Sequence, residues 1–288
     1  MTKKGHVQKN ILAWYDTYRR SLPWRQTRDP YHILVSEVML QQTQVDRVIA
    51  KYHEFLGAFP TVHDLAHAKT ADVIRVWAGL GYNRRALYLQ KTAQAVVTQY
   101  RGQFPKEIDL LKELPGIGDY TARAILSFAF EVPVPMMDTN HRRFYQRVFF
   151  GIHLKKDDIL LMEAETVLPK KRSYDWNQAL MDFGSLICLS GRPKCEVCPI
   201  QAFCAAYPEI LQVIEKKQKK KKKTVPFKET DRYFRGRIID LLRIERTTTV
   251  RTLANKYPDL SKERLQMILT RLEKEGLIQV KKGSILLP

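Results

Sequence analysis

The chain has no cysteine outside residues 188–204, no apolar run long enough to span a bilayer, and too few acidic residues to balance its basic ones. Each shortage excludes something. Without a long apolar segment there is no transmembrane helix to expect. The opening Met1-Thr-Lys-Lys-Gly-His is polar and lacks the apolar stretch of a secretory signal. A cytoplasmic address beside the nucleoid is therefore expected, with no membrane partner. Cysteines gathered in one short stretch also argue against a disulfide-stapled secreted scaffold.

The acid deficit is large: 49 Lys and Arg face 30 Asp and Glu, a formal charge of +19. Seven of the lysines lie in the run from Lys216 to Lys223, but without them 42 basic residues still face the same 30. The charge therefore belongs to the folded parts as well, and it calls for a polyanionic partner. Membrane surfaces attract lysine too, yet no amphipathic anchor stands beside the run. Nucleic acid is the better fit. At 288 residues the chain can bury a full core and implies two domains, the larger one lobed.

Helical periodicity dominates what is there. Leu110, Leu111 and Leu114 give one helix an apolar side, Pro115-Gly-Ile-Gly118 breaks it, and Ala122 to Phe130 resumes the pattern. Gly116 and Gly118 can take φ > 0 and leave N–H groups uncovered at the start of the next helix, a surface that suits a phosphate. A plain helix hairpin would use glycine to turn in the same way. Asp138 follows Pro-Val-Pro and precedes Thr139-Asn-His-Arg-Arg, so it sits where an N-cap would. Such an aspartate is kept ionised by N–H groups and the helix dipole, whether or not it does anything more.

Glu37 lies in a helix read from Tyr31 to Val45, the one carboxylate between Asp29 and Asp46, among Val35, Val38, Met39 and Leu40. Desolvation there would raise its pKa, and a carboxyl that keeps its proton near neutrality is what a general acid requires. A solvated face residue is the alternative. Gln41 and Gln42 follow as side chains able to reach base edges. In Gly79-Leu80-Gly81-Tyr82-Asn83-Arg84-Arg85, an apolar and an aromatic side chain on a glycine turn could wedge into a base stack while the arginines hold phosphates. Both could equally be core residues under a loop.

The four cysteines run Cys188-x6-Cys195-x2-Cys198-x5-Cys204. Clustering of this kind means a shared ligand, and four thiolates suit zinc or an iron–sulfur cluster alike. Beyond them, residues 213–230 read as a lysine-rich linker that cannot bury a core. Residues 231–288 read as three helices and a terminal hairpin, similar to a winged helix, with the third helix expected in a DNA groove.

Several segments together carry a resemblance: Leu22-Pro-Trp-Arg25, Ser36-Glu-Val-Met-Leu-Gln-Gln-Thr-Gln-Val45, Gly79-Leu-Gly-Tyr82, Leu114-Pro-Gly-Ile-Gly118, Asp138-x-Asn140, Asn177-Gln-Ala-Leu-Met-Asp182 and the cysteine loop. Residues 8–210 resemble the adenine DNA glycosylases of the endonuclease III superfamily. The resemblance implies an all-α, two-lobed helix-hairpin-helix glycosylase domain over 1–212, with the winged-helix-like unit after it, acting as a monomer on double-stranded DNA that contains a mismatch. It implies that the cysteine spacing is that of a [4Fe–4S] loop. By the same resemblance Glu37 protonates a flipped adenine and Asp138 stabilises the sugar cation, with Tyr120 and Asn140 in support. Arg20, Trp24, Arg25 and Gln178 would form the pocket for the extruded base, and Gln41, Gln42, Leu80, Tyr82, Gly116 and Gly118 would meet DNA. Bifunctional relatives carry lysine at position 120, and a tyrosine cannot form a Schiff base, so hydrolysis without strand cleavage is expected.

The sequence departs from the family pattern in three respects. Residues 211–288 stand where the family continues into a Nudix-like domain that reads oxidised guanine, and Asn83 and His141 replace a more usual tyrosine and an apolar residue. Two rival readings remain: a thymine glycosylase for guanine–thymine mismatches, and a non-catalytic winged-helix regulator. Gln178 and Val45 favour the adenine branch. The pairing of Glu37 with Asp138 speaks against a pure binder.

Overall fold

The computed structural model describes residues 1–218 and 225–288, so most of the expected lysine linker lies outside the described residues. In chain order the elements are α1 (Lys3–Tyr18), α2 (Pro30–Leu40), α3 (Val45–Ala58), α4 (Val62–His67), α5 (Thr70–Val76), α6 (Arg84–Tyr100), α7 (Ile108–Glu113) and α8 (Asp119–Phe128). There follow α9 (Thr139–Phe150), α10 (Asp157–Val167), α11 (Ser173–Leu186), α12 (Glu209–Gln218), α13 (Asp231–Glu245), β1 (Thr247–Thr249), α14 (Val250–Lys256), α15 (Lys262–Lys274), β2 (Gln279–Lys281) and β3 (Ser284–Leu286). No helix among the described residues is long and apolar enough to cross a membrane. Residues 213–218 continue α12 over the start of the expected linker, with Ile214 buried and Ile210, one turn earlier, half-buried.

The chain divides into two compact units. One holds residues 1–33, 106–112 and 118 onward through the cysteine loop; the other holds 34–105, 113–117 and the C-terminal segment. In the first, α1 and α9 both pack on α11. The reason is periodic: Val7, Ile11 and Tyr15 on α1 and Trp176, Leu180 and Phe183 on α11 return to one face every three or four residues, and all are buried. The ring of Phe144 meets Trp176 and Phe183 edge-on at 5.8 and 5.9 Å. The indole N–H of Trp176 donates to the Tyr145 hydroxyl at 2.9 Å, so its one polar atom is satisfied inside the core. Truncating such a side chain costs about 3–5 kcal/mol.

In the second unit α4 packs along α6, and Phe55 meets Phe59 and Trp77 edge-on. The C-terminal segment starts its helices with side-chain caps from Thr230, Thr249 and Ser261. Its strands pair antiparallel in the order β1-β3-β2, with Ile285 of the middle strand opposite both Thr248 and Val280. Ile285 is buried with Ile238, Leu242, Leu253 and Leu269, and the same cluster takes in Ile74 of α5 and Leu87 of α6. The cluster is thus built mostly by this segment and extended by one residue each from α5 and α6.

Candidate functional site

In the first unit Asp138 is the N-cap of α9, as its position after Pro-Val-Pro implies, with extended backbone at φ −92° and ψ −173°. Its Oδ1 accepts from the backbone N–H groups of Asn140 and His141, each at 2.8 Å, and its Oδ2 accepts from the Asn140 amide at 2.8 Å. The His141 Nδ1 stands 2.6 Å from Oδ1. A carboxylate only accepts, so that nitrogen carries the hydrogen. Burial alone would push the Asp138 carboxyl up; the imidazole's charge and hydrogen bond and the two N–H donors outweigh it and bring the pKa down to about 2.

Asn140 is itself held from behind. Its Oδ1 accepts from Arg143 Nη2 at 2.7 Å, and Arg143 also donates to the carbonyl oxygens of Gly184 at 2.6 Å and Cys188 at 2.5 Å. A hydrogen-bonded path thus runs Asp138, Asn140, Arg143, Cys188. It exists because α11 can approach closely: a Cβ on Gly184 would stand 2.5 Å from the Asn140 Cβ.

Two of the residues expected to hold an extruded base, Arg20 and Arg25, converge on Asp182, which has no exposed surface. Arg25 grips it with two parallel bonds of 2.8 and 2.9 Å, and Arg20 adds a third at 2.7 Å. Arg25 Nε donates to Gln178 Oε1 at 2.7 Å, which turns the Gln178 amide N–H groups away from the arginine. Burial would raise the Asp182 pKa, but the Arg25 bonds and charge, with help from Arg20, hold it below the ordinary value. Trp24 is buried at 6% exposure. Tyr120 is half-buried and packs against Ile33, Ala124, Phe128 and Met136.

The cysteine thiols are all free, and all four line one pocket with Arg147, whose Nη1 lies 3.4 Å from the Cys188 sulfur. Burial pushes the Cys198 thiol up to about 12 and raises Cys195 and Cys204 as well. Among the described residues no three His, Cys, Asp or Glu side chains converge on a single-ion site.

In the second unit Glu37 is buried at 4% exposure on α2. That helix ends at Leu40 rather than running on to Val45, and Gln42 adopts a left-handed backbone at φ +55°. Arg85 explains the ending. Its buried guanidinium donates to the carbonyls of Val38, Met39 and Gln41 at 2.6–2.9 Å, and to the carbonyls of Leu80 and Gly81. Arg85 is therefore not a phosphate ligand, contrary to expectation; it ties the end of α2 to the glycine turn. In that turn Leu80, expected to reach a base stack, is packed inward at 4% exposure, while Tyr82 is exposed at 38% with φ +44°. Of the hairpin glycines only Gly116 is left-handed, at φ +82°, and a Cβ there would stand 2.8 Å from the Tyr88 Cβ. Gly118 has φ −92° and caps α8 with extended backbone.

An adenine DNA glycosylase of Mycobacterium tuberculosis is 37% identical over 258 residues, with 84% of this chain and 81% of that protein covered. One from Buchnera aphidicola is 38% identical over 218 residues, covering 74% of this chain and 62% of that protein. The profile of the HhH-GPD superfamily of base excision DNA repair proteins matches residues 35–170. This chain belongs to the adenine DNA glycosylase family. Among solved structures, a thermostable thymine-DNA glycosylase is 33% identical with a TM-score of 0.68, covering 72% of this chain and 97% of its own.

For this family member, then, the structure joins Asp138 to Asn140, gathers Arg20 and Arg25 around one carboxylate with Gln178 bonded to Arg25, sets the four cysteines around one pocket, and places Gln41, Gln42 and Tyr82 along one groove. Sequence reasoning missed the contacts of three residues of consequence. Asp182 and Arg143 act across 157 and 45 positions of chain, beyond any local rule. His141 was within reach, since the third residue after an N-cap faces the cap side chain.

Proposed function

We propose that this chain is a monofunctional DNA glycosylase that hydrolyses adenine from duplexes in which it faces guanine or oxidised guanine. Glu37 gives its proton to a ring nitrogen of the flipped adenine. The C1′–N9 bond then breaks and its electron pair leaves with the purine. Asp138, ionised, stabilises the oxocarbenium character left on the sugar; water adds to C1′ and releases its proton to solvent, from which Glu37 regains the one it gave. Arg25 and Arg20, fixed on Asp182, hold Gln178 and the walls of the base pocket rigid. Tyr120 has no amine to attack the sugar, so the abasic strand is released unbroken.

The observation that carries this reading is the setting of Asp138, whose carboxylate accepts from two backbone N–H groups, the Asn140 amide and a buried histidine. A cap that only stabilised a helix would need neither His141 nor the support of Asn140 by Arg143. The burial of Glu37 at 4% adds the second acid that the chemistry asks for.

Four free thiols around one pocket support a [4Fe–4S] cluster held by Cys188, Cys195, Cys198 and Cys204. In such a cluster each thiolate binds its own iron, whereas one zinc draws all four sulfurs to about 2.3 Å from a single point. The cluster would supply a rigid cross-link for the loop. Arg147 would sit against its Cys188 sulfur, and Arg143 would hold the Cys188 carbonyl. The C-terminal segment, with three helices and a strand order of β1-β3-β2, supports the winged-helix reading.

A thymine glycosylase is the second reading, favoured by the 33% identity with a protein of that name. Single-turnover base release from duplexes carrying adenine or thymine opposite guanine separates the two. Release of adenine is expected; release of thymine alone would transfer the chain to the other activity.

A further inference from the structure

Two of the chain's departures from the family pattern, Asn83 and the C-terminal segment, meet at one side chain. Arg243 of α13 donates through Nη2 to Asn83 Oδ1 at 2.8 Å and through Nε to the Ile74 carbonyl at 3.0 Å. Its side chain is only 9% exposed, with Asp240 as its counter-charge. Ile74 lies in the last turn of α5, where helix carbonyls lack a partner within the helix, and Asn83 stands just before α6. One guanidinium therefore spans the glycine turn from its entry to its exit.

The state of Asn83 shows what this bond does. An asparagine ahead of a helix usually has extended backbone and turns its side-chain oxygen onto the first helix N–H groups. Asn83 has φ −56° and ψ −21° and makes no such bond, because that oxygen accepts from Arg243 instead. Next to it Tyr82 keeps a left-handed backbone at φ +44°, a state that persists in a bulky residue only where its surroundings enforce it. Arg232 of α13 supplies a second hold, its guanidinium 4.0 Å from the Tyr82 ring centroid. Ile74 and Leu87, on either side of the turn, enter the buried cluster of the C-terminal segment. That segment thus grips the turn by hydrogen bonds, by a ring face and by apolar packing.

From the turn the hold passes on. Arg85, two residues after Asn83, donates to the carbonyls of Leu80 and Gly81 and to those of Val38, Met39 and Gln41 at the end of α2, the helix that carries Glu37. All of these residues belong to one compact unit. We infer that Arg243 is a positioning residue for base excision: through Asn83 it fixes the conformation of the glycine turn, through Arg85 the end of α2, and so the placement of Glu37. The C-terminal segment then acts as a brace for the helix that carries the acid. This rests on the glycosylase reading above, in which Glu37 gives the proton.

The test uses the full chain and a duplex with one adenine opposite guanine. Single-turnover base release at saturating enzyme, duplex affinity over a range of salt and amide hydrogen exchange are measured for the parent, Arg243→Leu, Arg243→Lys, Asn83→Ala and the double variant Asn83→Ala, Arg243→Leu. Thr249→Ala, which removes the side-chain cap of α14 in the same segment, is the control for lost stability alone. All are compared at a temperature where melting curves show each to be folded. Arg243→Leu and Asn83→Ala should each slow release by about tenfold, as a small misplacement of a reacting group does. The double variant should be slower by about the same tenfold and not by about a hundredfold, because both changes cut one link. Arg243→Lys should recover only part of the rate, since one ammonium does not span both acceptors. Exchange should quicken in the glycine turn and at the end of α2 in Arg243→Leu and Asn83→Ala but not in Thr249→Ala. Because the guanidinium is enclosed, the log–log salt slope of binding should stay that of the parent. A slope lower by about 0.9 would make Arg243 a phosphate ligand and overturn the assignment. So would additive losses, a parent-like rate in Arg243→Leu or Arg243→Lys, equal slowing in Thr249→Ala, or slower release without faster exchange. A parent that releases no adenine defeats the glycosylase reading, and the exchange pattern then still decides whether Arg243 holds the turn. An active parent whose rate and exchange are unchanged in Arg243→Leu defeats only this inference.

Discussion

His141 places its Nδ1 2.6 Å from Asp138 Oδ1 from a position with no exposed surface, so a fully buried histidine backs the half-buried cap it serves. The ordinary aspartate pKa is about 3.9, and the folded value here is about 2. A depressed carboxyl contributes stability that is fully present above the unfolded pKa and is lost as pH falls through the folded one. Replacing His141 by leucine should raise the Asp138 pKa and remove on the order of 1–2 kcal/mol of that contribution at pH 7. The pH-dependent part of the gap between parent and variant should close between about pH 4 and pH 2. Urea unfolding at pH 7 and across that window checks the sign; a gap that widened toward acid would contradict it.

Arg143 links the cysteine loop to Asn140 through bonds of 2.5 and 2.7 Å. Removing it leaves three half-buried oxygens short of a donor and frees the amide that orients Asp138. Arg143→Ala should lower single-turnover base release by about ten- to a hundredfold, equivalent to about 1.4–2.7 kcal/mol. Arg143→Lys should recover little of it, since an ammonium cannot span the three acceptors in one plane. Full activity in the lysine variant would mean that Arg143 supplies charge and not geometry.

Gly184 is where α11 lets Asn140 in. With a Cβ only 2.5 Å from the Asn140 Cβ, Gly184→Ala must push the asparagine aside. Overpacking of this kind costs about 1–3 kcal/mol. The variant should melt at a lower temperature and also lose activity beyond what its stability explains at a temperature where it is folded. A variant that melts earlier but keeps the parent rate would limit Gly184 to packing.

On the monofunctional reading proposed above, Tyr120 sets the reaction type. Borohydride added during turnover should trap no covalent adduct with DNA in the parent, because no amine forms an imine with the sugar. Tyr120→Lys places an amine there and should give a trapped adduct on a denaturing gel. An adduct in the parent would contradict the monofunctional reading.

Local rules made part of this site legible in the sequence. Asp138 follows a proline pair and begins a helix, so its role as a cap could be read directly, and Ser261 marks the start of α15 in the same way. Non-local contacts were not legible. The ending of α2 at Leu40 depends on Arg85, more than forty residues on, donating to three carbonyls that a longer helix would have used. Glutamines at 41 and 42 favour helix by propensity, and tertiary hydrogen bonds override it. For the same reason Arg85 reads in sequence as a surface cation, whereas it is buried, and burial brings its pKa down to about 10. The docking of α13 against the Tyr82 turn has no sequence signal, because a run of lysines carries no pattern that fixes geometry.

The account stands most directly on the release of adenine under single-turnover conditions, from duplexes in which it faces guanine or oxidised guanine, by the parent and by Glu37→Gln and Asp138→Asn. The parent should free adenine but not thymine opposite guanine, and each substitution should slow release by at least about a hundredfold, as expected for the loss of an acid or of the anion opposing the sugar cation. Release of thymine with adenine retained, or parent-like rates in both variants, would contradict it.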